Sequence, residues 1–165
     1  GLAVRFAGSS WVLTLVVVCS IGGIQDPEYL EVQQRLRPPQ IQSLPIELRE
    51  LGPSFRGVNP EGARLWTAIE RGSRPDGTHG PGQPVRHPLT LAGLEKMLVP
   101  VLMLAGEADL LSPPALMRML AARIPLCQFV TVAEAGHAAF WEQPEVWNNL
   151  VLEFLGGHAG NAGAG

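Results

Sequence analysis

Two short segments hold the residues of this chain best suited to chemistry. Gly106-Glu107-Ala108-Asp109 follows the apolar run 99–105. Gly136-His137, its histidine 28 positions after the aspartate, follows a second apolar run. A side-chain nucleophile is weak at neutral pH unless a base takes its proton, and histidine, with an unperturbed pKa of ~6.5, suits that task. The base in turn needs a carboxylate to fix its tautomer and stabilise the imidazolium that forms. Each residue alone has a plainer use. Asp109 by itself reads as a turn or N-cap aspartate, and His137 by itself as a loop histidine packed beside Phe140 and Trp141. Together, in this order and each past an apolar run, they read as an acid and a base. Glu107 is the fallback acid. No metal or cofactor is expected, because His79, His87 and His158 stand in Gly- and Pro-rich sequence with no further ligand spaced to complete a site.

The elements that must carry this pair follow from hydrophobic patterning. Residues 99–105 are apolar with little polar alternation, which predicts a strand buried on both faces, as in a parallel α/β sheet. Ligands of such sheets gather at the carboxyl ends of the strands, where Asp109 falls. Residues 11–18 and 127–132 predict two further strands. Residues 1–8 read as the end of a helix. Asp26-Pro27 and Asn59-Pro60 are N-cap and first-turn signals for helices near 29–36 and 61–71. Thr90 predicts a short helix to 98, Ser112 a cap for 113–123, and Pro144 the start of a last helix to 155, with Val146, Trp147, Leu150, Val151 and Phe154 on one face. The Gly/Pro-rich stretch 72–88 is loop, and 156–165 a flexible tail. The expected organisation is core (1–21), a mostly helical insertion (22–88), core with acid and base (89–155), and tail.

Composition narrows the function classes. The 165 residues are 46% hydrophobic and 16% charged, with net charge −3 and mean hydropathy +0.15. A folded domain is expected. Nucleic acid is not expected as a partner, because the twelve basic residues are scattered. Cys19 and Cys127 read as buried free thiols, which places the chain in the reducing cytoplasm. Arg5 followed by the apolar run 11–24 mimics a signal segment, but its β-branched centre Val16-Val17-Val18 favours a strand.

Gly106–Asp109, Gly136-His137 and Glu142-Gln143-Pro144 match the G-x-x-D, G-H and E-x-P patterns of the α/β-hydrolase fold, and the chain resembles the C-terminal half of such an enzyme. The resemblance implies Asp109 as triad acid and His137 as base in the order nucleophile, acid, histidine. It makes residues 22–88 a cap and residues 11–18 the sixth strand of a partial fold, with about three parallel strands and flanking helices. A small ester or related carbonyl compound is the implied substrate class. Leu110 and Ala138, beside the proposed pair, and Trp66 in the insertion are candidate pocket residues; Phe55 and Tyr29 are weaker ones, since aromatics at helical spacing are commonly core.

One departure from the family is informative. No G-x-S-x-G occurs in these residues, so the resemblance places the nucleophile just before residue 1 and leaves serine, cysteine or aspartate open. The chain alone is then expected to be inactive, and its first strand to be an exposed edge prone to self-association. The strand order implied by the family separates Cys19 from Cys127 by more than the ~7 Å a disulfide spans. The alternative function is a non-catalytic binding module that keeps the fold.

Overall fold

The computed structural model of the chain describes residues 12–20, 23–37, 39–73 and 89–158. Three strands form its centre: β1 (Leu15–Val18), β2 (Val101–Gly106) and β3 (Cys127–Val132). They are parallel, in the order β1-β2-β3, with Leu15 opposite Val101 and Val101 opposite Cys127. Every residue of β2 is buried, whereas β1 and β3 are partly exposed. That difference is positional, since among the described residues only the middle strand has neighbours on both sides.

Between β1 and β2 the chain makes a long helical excursion: α1 (Pro27–Leu36), a 3₁₀ turn (Pro39–Ser43), α2 (Ile46–Glu50), α3 (Pro53–Val58) and α4 (Pro60–Gly72). Its ends meet. Ile24 bridges Leu89 in parallel, and the Asp26 carboxylate accepts from the Leu91 amide at 2.9 Å. Asp26 holds the N-cap position of α1 but makes no capping bond there; its side chain closes the excursion instead. Asn59 caps α4 as expected, accepting from Gly62 N at 2.9 Å.

After the excursion come α5 (Leu91–Leu94), α6 (Pro114–Ala121), α7 (Ala139–Glu142) and α8 (Pro144–His158). Thr90 caps α5 through Gly93 N at 3.1 Å, but α5 is one turn rather than a helix to residue 98. The N-cap of α6 is Pro113, with no side-chain cap. The expected capping role of Ser112 is therefore wrong, and its hydroxyl is engaged elsewhere. The last helix runs past residue 155 through Gly156 and Gly157 to His158, whose Nδ1 lies 2.7 Å from the Phe154 carbonyl. The expected helix over 1–8, position 11, most of the loop over 72–88 and the tail beyond 158 lie outside the described residues.

Strand alternation divides the core in two. Val101, Met103 and Ala105 point to one face, where Leu116, Met117 and Leu120 of α6 cover them. Leu102 and Leu104 point to the other and meet Phe154 of α8, with Leu150 and Val151 packed alongside. Val146, expected on that apolar face, stands exposed. Tyr29 of α1 is 0% exposed and belongs to the first core, which overturns it as a pocket residue. The run expected to be either strand or signal segment is a strand over 15–18. No helix among the described residues is long and apolar enough to cross a membrane.

Candidate active site

Asp109 and His137 lie in the loops that leave the carboxyl ends of adjacent strands β2 and β3. These loops are joined backbone to backbone: Glu107 N donates to Val132 O at 3.0 Å and Ala108 N to Ala135 O at 2.8 Å. Gly106 makes the approach possible. A Cβ on Gly106 would lie 2.5 Å from the Ala135 carbonyl oxygen and closer still to that of Gly136.

Within this frame Asp109 is held from two sides. Its Oδ1 accepts from Leu111 N at 2.8 Å and Ser112 N at 2.9 Å. Its Oδ2 lies 2.9 Å from His137 Nδ1. The aspartate side chain is fully buried, while the imidazole is 31% exposed. A buried carboxylate oriented by two amides, facing one imidazole nitrogen while the ring stays open to solvent, can hold a proton on Nδ1 and leave Nε2 free to accept one. The turn use of Asp109 and its pairing with His137 thus coexist: the two amides share Oδ1, and Nδ1 lies nearer Oδ2 (2.9 Å) than Oδ1 (3.2 Å).

Glu107, the fallback acid, is turned away from His137. Its Oε2 accepts from Glu134 N at 2.9 Å, at a residue with left-handed φ of 58°.

A third side chain joins the pair without any sequence signal. Cys19, just past β1, has φ 43°, and its sulfur lies with Asp109 and His137 donor atoms in a group spanning at most 4.8 Å. Burial first, and then the negative charge of Asp109, push its thiol up to about 12. A thiol held protonated in this way is a poor metal ligand. The Ser112 hydroxyl donates to the Cys19 carbonyl at 2.8 Å, tying the end of β1 to the acid loop. Cys19 and Cys127 are both free, the first buried and the second half-buried.

Of the candidate pocket residues, Ala138 and Trp66 come together with Leu51, Ala63, Phe55 and Trp141. The Trp66 ring is 5.8 Å from Phe140 and 5.5 Å from Trp141, and its Nε1 donates to Glu50 Oε2 at 3.3 Å. Leu110 is 38% exposed and outside that cluster. His79 and His87 lie outside the described residues.

The profile of the Alpha/beta hydrolase family matches residues 1–150. The chain belongs to that family. A curated member of Mycobacterium tuberculosis, BpoC, named a non-heme bromoperoxidase, is 33% identical over 65 residues; the match takes in 39% of this chain and 25% of that protein. Among solved hydrolase-fold structures, a thermophilic esterase from Thermogutta terrifontis is similar with TM-score 0.71 and 25% identity, over 93% of this chain and 60% of that one. BpoC from M. tuberculosis H37Rv gives TM-score 0.65 at 20% identity, over 92% and 61% of the two chains, a likeness of fold alone. The chain therefore spans less than two thirds of these hydrolase-fold relatives.

Proposed function

We propose that Asp109 and His137 are the acid and base of a nucleophile–Asp–His triad that hydrolyses a small ester or related carbonyl compound. The observation that carries this reading is the 2.9 Å contact between His137 Nδ1 and a fully buried Asp109. In the first step His137 Nε2 takes the proton of the nucleophile as it attacks the carbonyl carbon. Asp109, accepting from Nδ1–H, stabilises the resulting imidazolium. Nε2 then returns the proton to the leaving alcohol, and a water molecule repeats the cycle to release the acid.

The nucleophile is not provided by a G-x-S-x-G in these residues, so this chain alone supplies acid and base and is inactive. The excursion between β1 and β2 acts as a cap over the site. Trp66, Ala138 and Leu110 are the proposed substrate-facing side chains, and two free thiols fit a cytoplasmic location. The test is turnover of p-nitrophenyl esters by the product of the complete reading frame. His137→Ala and Asp109→Asn are each expected to lower kcat by about 10³–10⁴-fold. Undiminished turnover in either variant removes that residue from the mechanism, and no turnover by the unsubstituted protein favours the non-catalytic module.

A further inference from the structure

Glu142 is a buried carboxylate that the proposed mechanism does not use. Its Oε1 accepts from Gly136 N at 2.9 Å and its Oε2 from Gly52 N at 3.0 Å. The two donors belong to different parts of the chain: Gly136 immediately precedes His137, and Gly52 joins α2 to α3 in the helical excursion. On the other side of the histidine, Ala138 N donates to the Glu50 carbonyl at 3.1 Å. Both neighbours of His137 are thus fastened to the segment Glu50-Leu51-Gly52. The fit is close. A Cβ on Gly136 would lie 2.5 Å from Gly52 N, and one on Gly52 would lie 2.8 Å from Glu142 Oε2.

Burial disfavours the ionised carboxylate and raises its pKa, opposed by its two amide donors. An apolar side chain of similar size would avoid that cost, but it would leave two buried N–H groups without acceptors. The carboxylate serves two donors at once, which a single backbone carbonyl in this place would do poorly.

We propose that Glu142 is a positioning residue for His137, acting through the Gly136 amide, and that it makes the orientation of the imidazole conditional on docking of the Glu50-Leu51-Gly52 segment. This rests on His137 being the base. The excursion then does more than cover the site: when its 50–52 segment lifts, the backbone on both sides of the histidine is released together.

The experiments use the product of the complete reading frame. In the unsubstituted protein, native-state amide hydrogen exchange is expected to give Gly52, Gly136 and Ala138 one common opening free energy, because they are released in one event. Exchange of Gly52 by a separate, easier opening while Gly136 stays protected overturns the coupling. Glu142→Gln keeps the shape but presents an NH₂ to one of the two amide donors. It is expected to speed solvent exchange of the far-downfield His137 Nδ1 proton in NMR spectra and to lower kcat for p-nitrophenyl acetate about 10–100-fold with KM unchanged. Met117→Ala, which opens a cavity on the opposite sheet face, is the control for simple loss of stability and is expected to move neither readout. Gly52→Ala is expected to mimic Glu142→Gln, and the double variant to be no worse than either single one. An additive double variant, or an unchanged Nδ1 signal in Glu142→Gln, overturns the proposal. If the unsubstituted protein does not cleave esters, the hydrolase reading fails, while the Nδ1 signal and amide exchange still decide the role of Glu142. Should Glu142→Gln not fold, exchange in the unsubstituted protein decides it alone.

Discussion

Gly106 and Gly136 touch backbone to backbone, so the G of G-x-x-D and the G of G-H are two halves of a single contact. Neither glycine has a left-handed φ. Gly106 is there because a side chain would hold the acid loop off the base loop, and Gly136 because a side chain would run into Leu51 and Gly52 of the helical excursion. Gly106→Ala is accordingly expected to cost about 3 kcal/mol or more of unfolding free energy, as overpacking against backbone cannot relax by a rotamer change. Gly57→Ala on α3 is the contrast, since nothing lies within 4 Å of a Cβ there; it is expected to stabilise by about 0.4–1 kcal/mol. Urea unfolding of both variants checks the pair of signs.

Ser112 anchors the acid loop to the end of β1 rather than capping α6. Ser112→Ala leaves the buried Cys19 carbonyl without its hydroxyl donor. A loss of about 1–3 kcal/mol is expected, measured by the same unfolding curves. No loss would mean that the carbonyl finds another donor.

Both thiols are expected to be unreactive in the folded chain and free on unfolding. Cys19 is pushed up to about 12 and Cys127 to about 11, each mainly by burial, from an ordinary value of 9.0. At pH 8 the thiolate of folded Cys19 is scarcer than in the unfolded chain by on the order of a thousandfold, tenfold for each unit. Iodoacetamide labelling followed by mass spectrometry reads this directly. The sign for stability follows: a raised thiol pKa favours the folded state below about pH 9, and that contribution is lost as pH rises through 9 towards 12. Stability is expected to fall across that alkaline window, and less steeply in Cys19→Ser.

Among the described residues β1 pairs only with β2, leaving its other edge as a row of unmatched donors and acceptors. These 165 residues on their own are expected to self-associate. Light scattering on the purified chain tests this, and a monodisperse monomer would contradict it.

Much of the scaffold was legible because burial leaves a periodic trace. β2 is covered on both faces and reads as an unbroken apolar run, and α8 repeats apolar residues every three or four positions. The Asp109–His137 meeting was legible from order and context, since both sit just past predicted strands. What escaped depends on long-range polar contacts that carry no period. Ser112 looks like a cap because Ser before Pro-Pro is a common helix start, yet tertiary contact with Cys19 outcompetes that local use. Cys19 reads as a strand thiol, and only the parallel pairing of β1 with β2 brings it beside Asp109. Glu142 was visible as part of E-x-P, but its second partner, Gly52, is 90 residues away and no local pattern connects them. Tyr29 reads as core more readily than as pocket, and the packing of α1 against α6 bears out core.

The bridge between Ile24 and Leu89, with Asp26 reaching Leu91, means that the helical excursion departs and returns through one doorway. Because the entropy of closing a loop grows only slowly with its length, what lies beyond α1, whose Tyr29 belongs to the sheet's core, can be lengthened, shortened or exchanged with little penalty to the sheet. Chimaeras that keep α1 and swap residues 39–88 for a foreign segment should keep their strands, and the Ala138 amide and Glu142 carboxylate left waiting on the histidine side set the limit on which foreign segments will seat.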